Sequence, residues 1–100
     1  MAAGAIAADA IKDDTVISRT GDWLSAETGD GAVMMSPSAA DYIGLSETAG
    51  RIWALLETPR TLAALCAALA GEYAISADDV RPDVTEFVAR LAERGALALA

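Results

Sequence analysis

Apolar and polar residues alternate with a period of two through the first half of this chain and with a period of three to four through the second. Trp23-Leu24-Ser25-Ala26-Glu27-Thr28 alternates moderately, meets Gly29-Asp30-Gly31, and gives way to Ala32-Val33-Met34-Met35-Ser36. Two strand-like runs around Gly-Asp predict a hairpin, because both residues tolerate the positive φ that tight turns need. Pro37-Ser38-Ala39-Ala40 makes the next turn, and Asp41 to Leu45 the next strand. The pattern therefore predicts a three-stranded meander over 23–28, 31–36 and 41–45, preceded by the short β-rich run Thr15-Val16-Ile17-Ser18-Arg19 and the turn Thr20-Gly21-Asp22.

From Ser46 onward the period is helical. Ser46 caps a first helix whose apolar face is Ala49, Ile52, Trp53, Leu55 and Leu56, and Thr58-Pro59-Arg60 stops it, since the residue before proline is pushed out of helical geometry. Thr61 caps a second helix with Leu62, Leu65, Cys66 and Leu69 on one face, and Gly71 is expected to close it. The third carries Val80, Val84, Phe87, Val88 and Leu91 and ends at Gly95. Pro82 belongs in a first turn, which favours Asp78 or Asp79 over Ser76 as its cap. Leu97 and Leu99 form an extended tail.

Residues 1–14 have no usable periodicity and are expected to be a flexible N-terminal segment, leaving 15–100 as one domain. Met1 to Ala10 is Ala-rich, but it lacks a basic n-region and carries Asp9 where an export signal would stay apolar. No apolar run reaches the ~18 residues of a membrane span. A domain of this length buries roughly 60–70% of the surface its unfolded chain exposes.

Charge and residue types then narrow the chemistry. Seven basic residues stand against fifteen acidic ones, a net charge of −8, and the basic ones are scattered singly. Nucleic-acid affinity comes mainly from clustered Lys and Arg, and an acidic body repels anionic membrane surfaces, so neither partner is expected. The chain has no histidine, the commonest general base and metal ligand. Its lone Cys66 lies in an apolar stripe and reads as a structural thiol, in keeping with a cytoplasmic location. Asp78, Asp79 and Asp83 complement a helix N-terminus, and Gly29, Gly31 and Gly44 do not make a phosphate loop. Catalysis, a metal and a cofactor are all unexpected.

What remains is binding. A strand passing straight into a helix, as Asp41 to Leu45 passes into Ser46, usually lies at a sheet edge, where another peptide can add itself as a strand. In such a strand Asp41, Ile43 and Leu45 face one way, and Tyr42 and Gly44 the other. Tyr42 then either covers the outer face of the sheet or flanks a peptide groove. Trp53 reads as core. Arg51 and Arg60 read as solvated charges, and one of Arg81, Arg90 and Arg94 is in reach of an acidic group on a bound peptide. Val84, Phe87, Val88 and Leu91 share one face of the third helix and present more apolar surface than the short hairpins can cover, so part of that face is expected to line a groove with the backbone of Asp41, Tyr42, Ile43, Gly44 and Leu45. Val84 and Val88 would form its pocket, with Arg81 nearby. If the Ile43 N–H points outward, proline at Ile43 abolishes binding.

Gly31-Ala32-Val33-Met34-Met35, then Asp41-Tyr42-Ile43-Gly44-Leu45-Ser46-Glu47 and Arg51-Ile52-Trp53-Ala54-Leu55-Leu56, resemble the PqqD-like family, as does Asp83-Val84 to Arg94-Gly95-Ala96-Leu97. The likeness covers about residues 15–99. It departs at Ser46, where relatives often have Asn, and at Ala49-Gly50, where a Gly-Ala pair is common. The resemblance implies an α+β, winged-helix-like domain, a three-stranded antiparallel sheet followed by three helices, acting as a recognition element for ribosomally made, modified peptides. It implies that a precursor's leader lies along strand 41–45 beside a third helix running from about Asp79 to Arg94. It also implies presentation to maturation enzymes, most like the leader peptidase and macrolactam cyclase of lasso-peptide pathways. Presentation to a radical S-adenosylmethionine enzyme is the alternative, and a winged-helix DNA binder the alternative of another class.

Overall fold

Strands occupy the first half of the chain and helices the second, as the two periods require. The structure, a computed structural model, describes residues 7–100. In chain order it contains β1 (Val16–Arg19), β2 (Leu24–Thr28), β3 (Gly31–Ser36), β4 (Asp41–Ser46), α1 (Glu47–Leu55), β5 (Arg60–Thr61), α2 (Leu62–Tyr73), α3 (Ala77–Glu93) and β6 (Leu97–Leu99). The antiparallel meander β2-β3-β4 and the three helices match the expected fold class. A second small antiparallel sheet, ordered β5-β1-β6, is an addition. The tail at Leu97 pairs with Arg19, and Val16 and Ala100 exchange two backbone hydrogen bonds of 2.9 Å.

Alternation decides which face of the meander is buried. Ala32, Met34 and Ser36 of β3 and Ile43 and Leu45 of β4 point inward against the helices. Gly31 is required by close approach: a Cβ there would lie 2.0 Å from the Leu45 carbonyl oxygen. The Gly29-Asp30 turn forms without positive φ at either residue, contrary to expectation. Ser36, buried though polar, donates to Asp22 Oδ1 (2.5 Å), and the Ser38 hydroxyl and N–H also donate to Asp22. The Ser36 bond first, then those of Ser38, hold the Asp22 carboxyl below its ordinary range.

Two helix ends differ from the sequence expectation. Ser76, not Asp78 or Asp79, caps α3, its hydroxyl accepting from the Asp78 N–H at 3.1 Å. Pro82 therefore lies in the second turn, where the bond it deletes would have gone to the carbonyl of exposed Asp78, which water can satisfy. Gly71 stays inside α2; Ala74 takes the left-handed conformation at its end (φ 54°), and the Ile75 N–H donates to the Ala70 carbonyl. Gly95 (φ +79°) does end α3, with the N–H groups of Gly95 and Ala96 donating to the carbonyls of Ala92 and Leu91.

Trp53 is core, donating through Nε1 to Ser25 Oγ at 3.3 Å beneath the Arg19 guanidinium, which is 4.2 Å from the ring centroid. Cys66 is buried, which pushes its thiol pKa up. Of the N-terminal segment expected to be flexible, residues 1–6 lie outside the described residues. Residues 7–14 carry a 3-10 turn at Ala8–Ala10, Ile11 at 3% exposure in the core, and Asp13 paired with Arg81. No described helix is long and apolar enough to cross a membrane.

Candidate functional site

β4 is an edge strand, and its register with β3 fixes which of its main-chain groups are unpaired. Antiparallel pairs alternate between residues that exchange bonds and residues that do not. The two-residue turn makes Thr28 and Gly31 a bonded pair, so Gly31, Val33 and Met35 face β2, while Ala32, Met34 and Ser36 face β4. Asp41, Ile43 and Leu45 thus spend their N–H and C=O on β3, and Tyr42 and Gly44 turn theirs outward. The Ile43 N–H consequently faces β3. Proline there would break the sheet rather than probe the edge.

The orientation of Tyr42 agrees with this alternation. Its carbonyl accepts from Arg94 Nη2 (3.1 Å), and its N–H donates to Asp41 Oδ1 (2.9 Å). Arg94 also donates to Asp41 through Nε (2.8 Å) and Nη2 (2.6 Å). The Arg94 hydrogen bond holds the Asp41 carboxyl below the usual carboxylate range and raises the arginine in turn. No hydrogen bond reaches either outward group of Gly44 among the described residues, and a Cβ at Gly44 would meet nothing within 4 Å.

α3 runs alongside this edge. Its Arg94 end meets Asp41 and Tyr42, while Asp83, Glu86, Phe87 and Arg90 face Ser46, Thr48, Ala49 and Ile52 across a cleft of about 370 Å³. A second, more apolar cavity of about 390 Å³ shares Thr48, Ile52 and Asp83 with the cleft and continues between the helices to Tyr73, Ile75 and Val84.

Of the site residues expected from sequence, the backbone of Tyr42 and Gly44 lies at the edge, and Phe87 lines the cleft. Val84 touches the apolar cavity but is nearly fully buried. Val88, at 0% exposure, and Leu91 are core, so Val88 cannot form a pocket. Ile43 and Leu45 point their side chains inward. Arg81 lies elsewhere, bonded to Asp13 beside Lys12 and Pro82. Thr48, Ala49, Ile52, Asp83 and Glu86 were not singled out for the site. Their spacing on α1 and α3 carried no signal of which helix faces meet the edge.

The model of the family described as coenzyme PQQ synthesis protein D (PqqD) matches residues 31–97, more than half of the chain. The chain belongs to the PqqD family. The matched span takes in the meander from β3 onward, all three helices and the start of β6, and so includes the whole cleft. This PqqD-family chain is similar in structure to TbiB1, solved in complex with the TbiA(beta) leader peptide. The two are 28% identical, with 80% of this chain and 93% of that chain covered and a TM-score of 0.71. It shares its fold with the PqqD truncation of Methylobacterium extorquens PqqCD, a stand-alone recognition element for ribosomally synthesised and modified peptides. There the identity is 16%, the coverage 93% of this chain and 99% of that chain, and the TM-score 0.76. None of the curated proteins matches the chain.

Proposed function

We propose that this domain binds the leader region of a ribosomally synthesised precursor peptide by taking it up as a further strand on β4, in the cleft beside α3, and presents it to maturation enzymes. The carrying observation is the outward-facing Gly44 backbone on a strand whose Ser46 end opens onto a cleft lined by Phe87 and Ile52. An exposed edge supplies main-chain hydrogen bonds that depend little on sequence, and side-chain pockets add selectivity. The likeness to TbiB1, whose structure holds a leader peptide, supports the same cargo class. Ordering a disordered leader costs about 2–5 kcal/mol, which keeps affinity moderate and suits a carrier that must release its cargo.

The enzymes served are the leader peptidase and macrolactam cyclase of a lasso-peptide pathway. The domain works in the cytoplasm without catalysis, cofactor, nucleic acid or membrane. A second reading, implied by the resemblance to PqqD, is presentation to a radical S-adenosylmethionine enzyme; the matching family is described as serving coenzyme PQQ synthesis. Co-purification from the producing cell separates the two by which enzyme is retained.

The binding reading is tested with synthetic peptides covering the N-terminal halves of the small open reading frames beside its gene, titrated into labelled protein. At least one should shift the amide signals of Gly44, Phe87 and Arg90. Shifts confined to Ser25 and Glu27 on β2, or no binding by any peptide, would overturn it.

A further inference from the structure

The two outward residues of β4 are not equivalent. At Tyr42 the acceptor is covered by a donor, Arg94, and the donor by an acceptor, Asp41. At Gly44 neither group is covered by any described residue. Beyond Gly44, Ser46 turns its N–H to the same side but opens α1, where its hydroxyl accepts from the Ala49 N–H at 3.2 Å. The length of edge open to an incoming strand therefore runs from Ser46 N–H to Gly44 and ends at Tyr42.

Arg94 is well placed to be a fixed obstacle. It is the C-cap of α3, its N–H donates to the Arg90 carbonyl at 3.2 Å, and the left-handed Gly95 follows it. Its guanidinium grips Asp41 with both Nε and Nη2, a planar fork that a lysine could not reproduce. Covering the last main-chain groups of an edge with charged side chains is a recognised way to stop strand pairing.

We infer that the Arg94–Asp41 pair is a register stop: a peptide added to β4 pairs at Gly44 and is turned out of the sheet before Tyr42. This rests on the strand-addition reading above and adds what fixes the position of the bound chain. A slip of two residues would keep the same faces and the same kind of bonds. Without a stop, pairing could run on past Gly44 to Tyr42, and the chain would leave the sheet at more than one place along β4. With the stop, the segment leaving the sheet always emerges beside Arg94.

Amide hydrogen exchange by NMR, with the tightest-binding of the synthetic peptides named above as probe, tests this. In the natural protein, saturating peptide should slow exchange at Gly44 at least tenfold and leave Tyr42 unchanged. In the Asp41→Asn/Arg94→Gln double variant, Tyr42 should slow at least tenfold as well. Slowing at both residues in the natural protein, or at Gly44 alone in the double variant, would overturn the stop while leaving strand addition intact. Slowing at neither would remove strand addition and the stop together. Should the double variant fold poorly, Arg94→Gln alone serves, and the natural-protein measurement decides by itself whether Tyr42 is excluded.

Discussion

Along β2, the outer strand opposite β4, the outward main-chain groups belong by alternation to Ser25 and Glu27. One carries a hydroxyl that accepts from Trp53, the other a charge. Along β4 they belong to Tyr42 and Gly44, and the second is a bare glycine two residues before Ser46, which meets a cleft walled by α1 and α3. One sheet thus has an edge defended by a charge and an edge left open over a short length. Protected edges avoid unwanted pairing, and glycine in a strand marks a place where another backbone can come close. At Gly44 the open groups carry no side chain to guard them, and α3 lies across the cleft at the Ser46 end of the strand.

The largest effect should come from proline at the two edges. Gly44→Pro removes the open donor without touching a ladder bond, and should weaken binding of the synthetic peptide by about ten- to hundredfold, the weight of about 1–3 kcal/mol for one lost hydrogen bond and its unpaired partner. Glu27→Pro, at an outward position of β2, should stay within about twofold, as surface changes away from a site do. Isothermal titration of both proteins, with circular dichroism showing equal strand content, makes the comparison. Equal losses would mean that the edges do not differ in function.

Next in size is a contrast between two glycines of the same sheet. Gly31→Ala drives a Cβ to 2.0 Å from the Leu45 carbonyl. It should cost about 1–3 kcal/mol by overpacking, read as a lower urea midpoint. Gly44→Ala meets open space and should be neutral or gain up to about 1 kcal/mol. A large loss at Gly44 would show that this glycine serves the fold, and would remove it as a marker of the edge.

Much of this was legible in the chain. The meander and the helices follow from period, caps and breakers, because each is decided within a few residues of sequence. The β5-β1-β6 sheet was not, since β5 has two residues and β6 three, and their pairing depends on where the chain ends come to lie. The proline rule points to Asp78 or Asp79 as the α3 cap, but Ser76 caps it, because water can replace the bond that Pro82 deletes in this exposed turn. At the site, strand 41–45 was readable as an edge from its direct passage into a helix. Its register was not, so Ile43 was favoured over Gly44 as the residue to probe. A helical stripe likewise cannot say which of its members meet another helix. Val88 and Leu91 are wholly core, while Phe87 at the margin of the stripe, though buried, also lines the cleft. The Arg94–Asp41 contact, 53 residues apart in sequence, left no local trace.

A smaller effect concerns pH. Asp22, which ties the β3–β4 turn down, and Asp41, which closes one end of the open edge, both sit below their ordinary range in the folded chain. Their contribution to stability is therefore complete above the unfolded carboxylate value of about 3.9 and is lost as pH falls through their lower folded values. Tm should be level from about pH 8 to about pH 5 and fall below about pH 4, with a shallower fall in Asp22→Asn and Asp41→Asn, whose amides do not titrate. A marked decline already between pH 8 and pH 6 would show that other groups govern the acid response, and in a chain without histidine these could not be imidazoles.

The smallest expected effect is that of salt on binding, and it weighs backbone against charge in the open edge. The charged groups of the cleft largely engage one another: Arg90 donates to Glu86 at 3.0 Å, and Arg94 is held by Asp41. Arg81, once a candidate for meeting the peptide, is bonded to Asp13 away from the cleft. Hydrogen bonds to Gly44 and apolar contact with Phe87 and Ile52 are little screened, so affinity should change less than about tenfold between low and moderate ionic strength. The net charge of −8 acts at longer range and should appear in the association rate of a basic peptide more than in its residence time. A loss of tenfold or more would move the source of affinity from the strand edge to ions. Arg90→Gln would then reproduce that loss at low salt, because Arg90 is the arginine that lines the cleft itself.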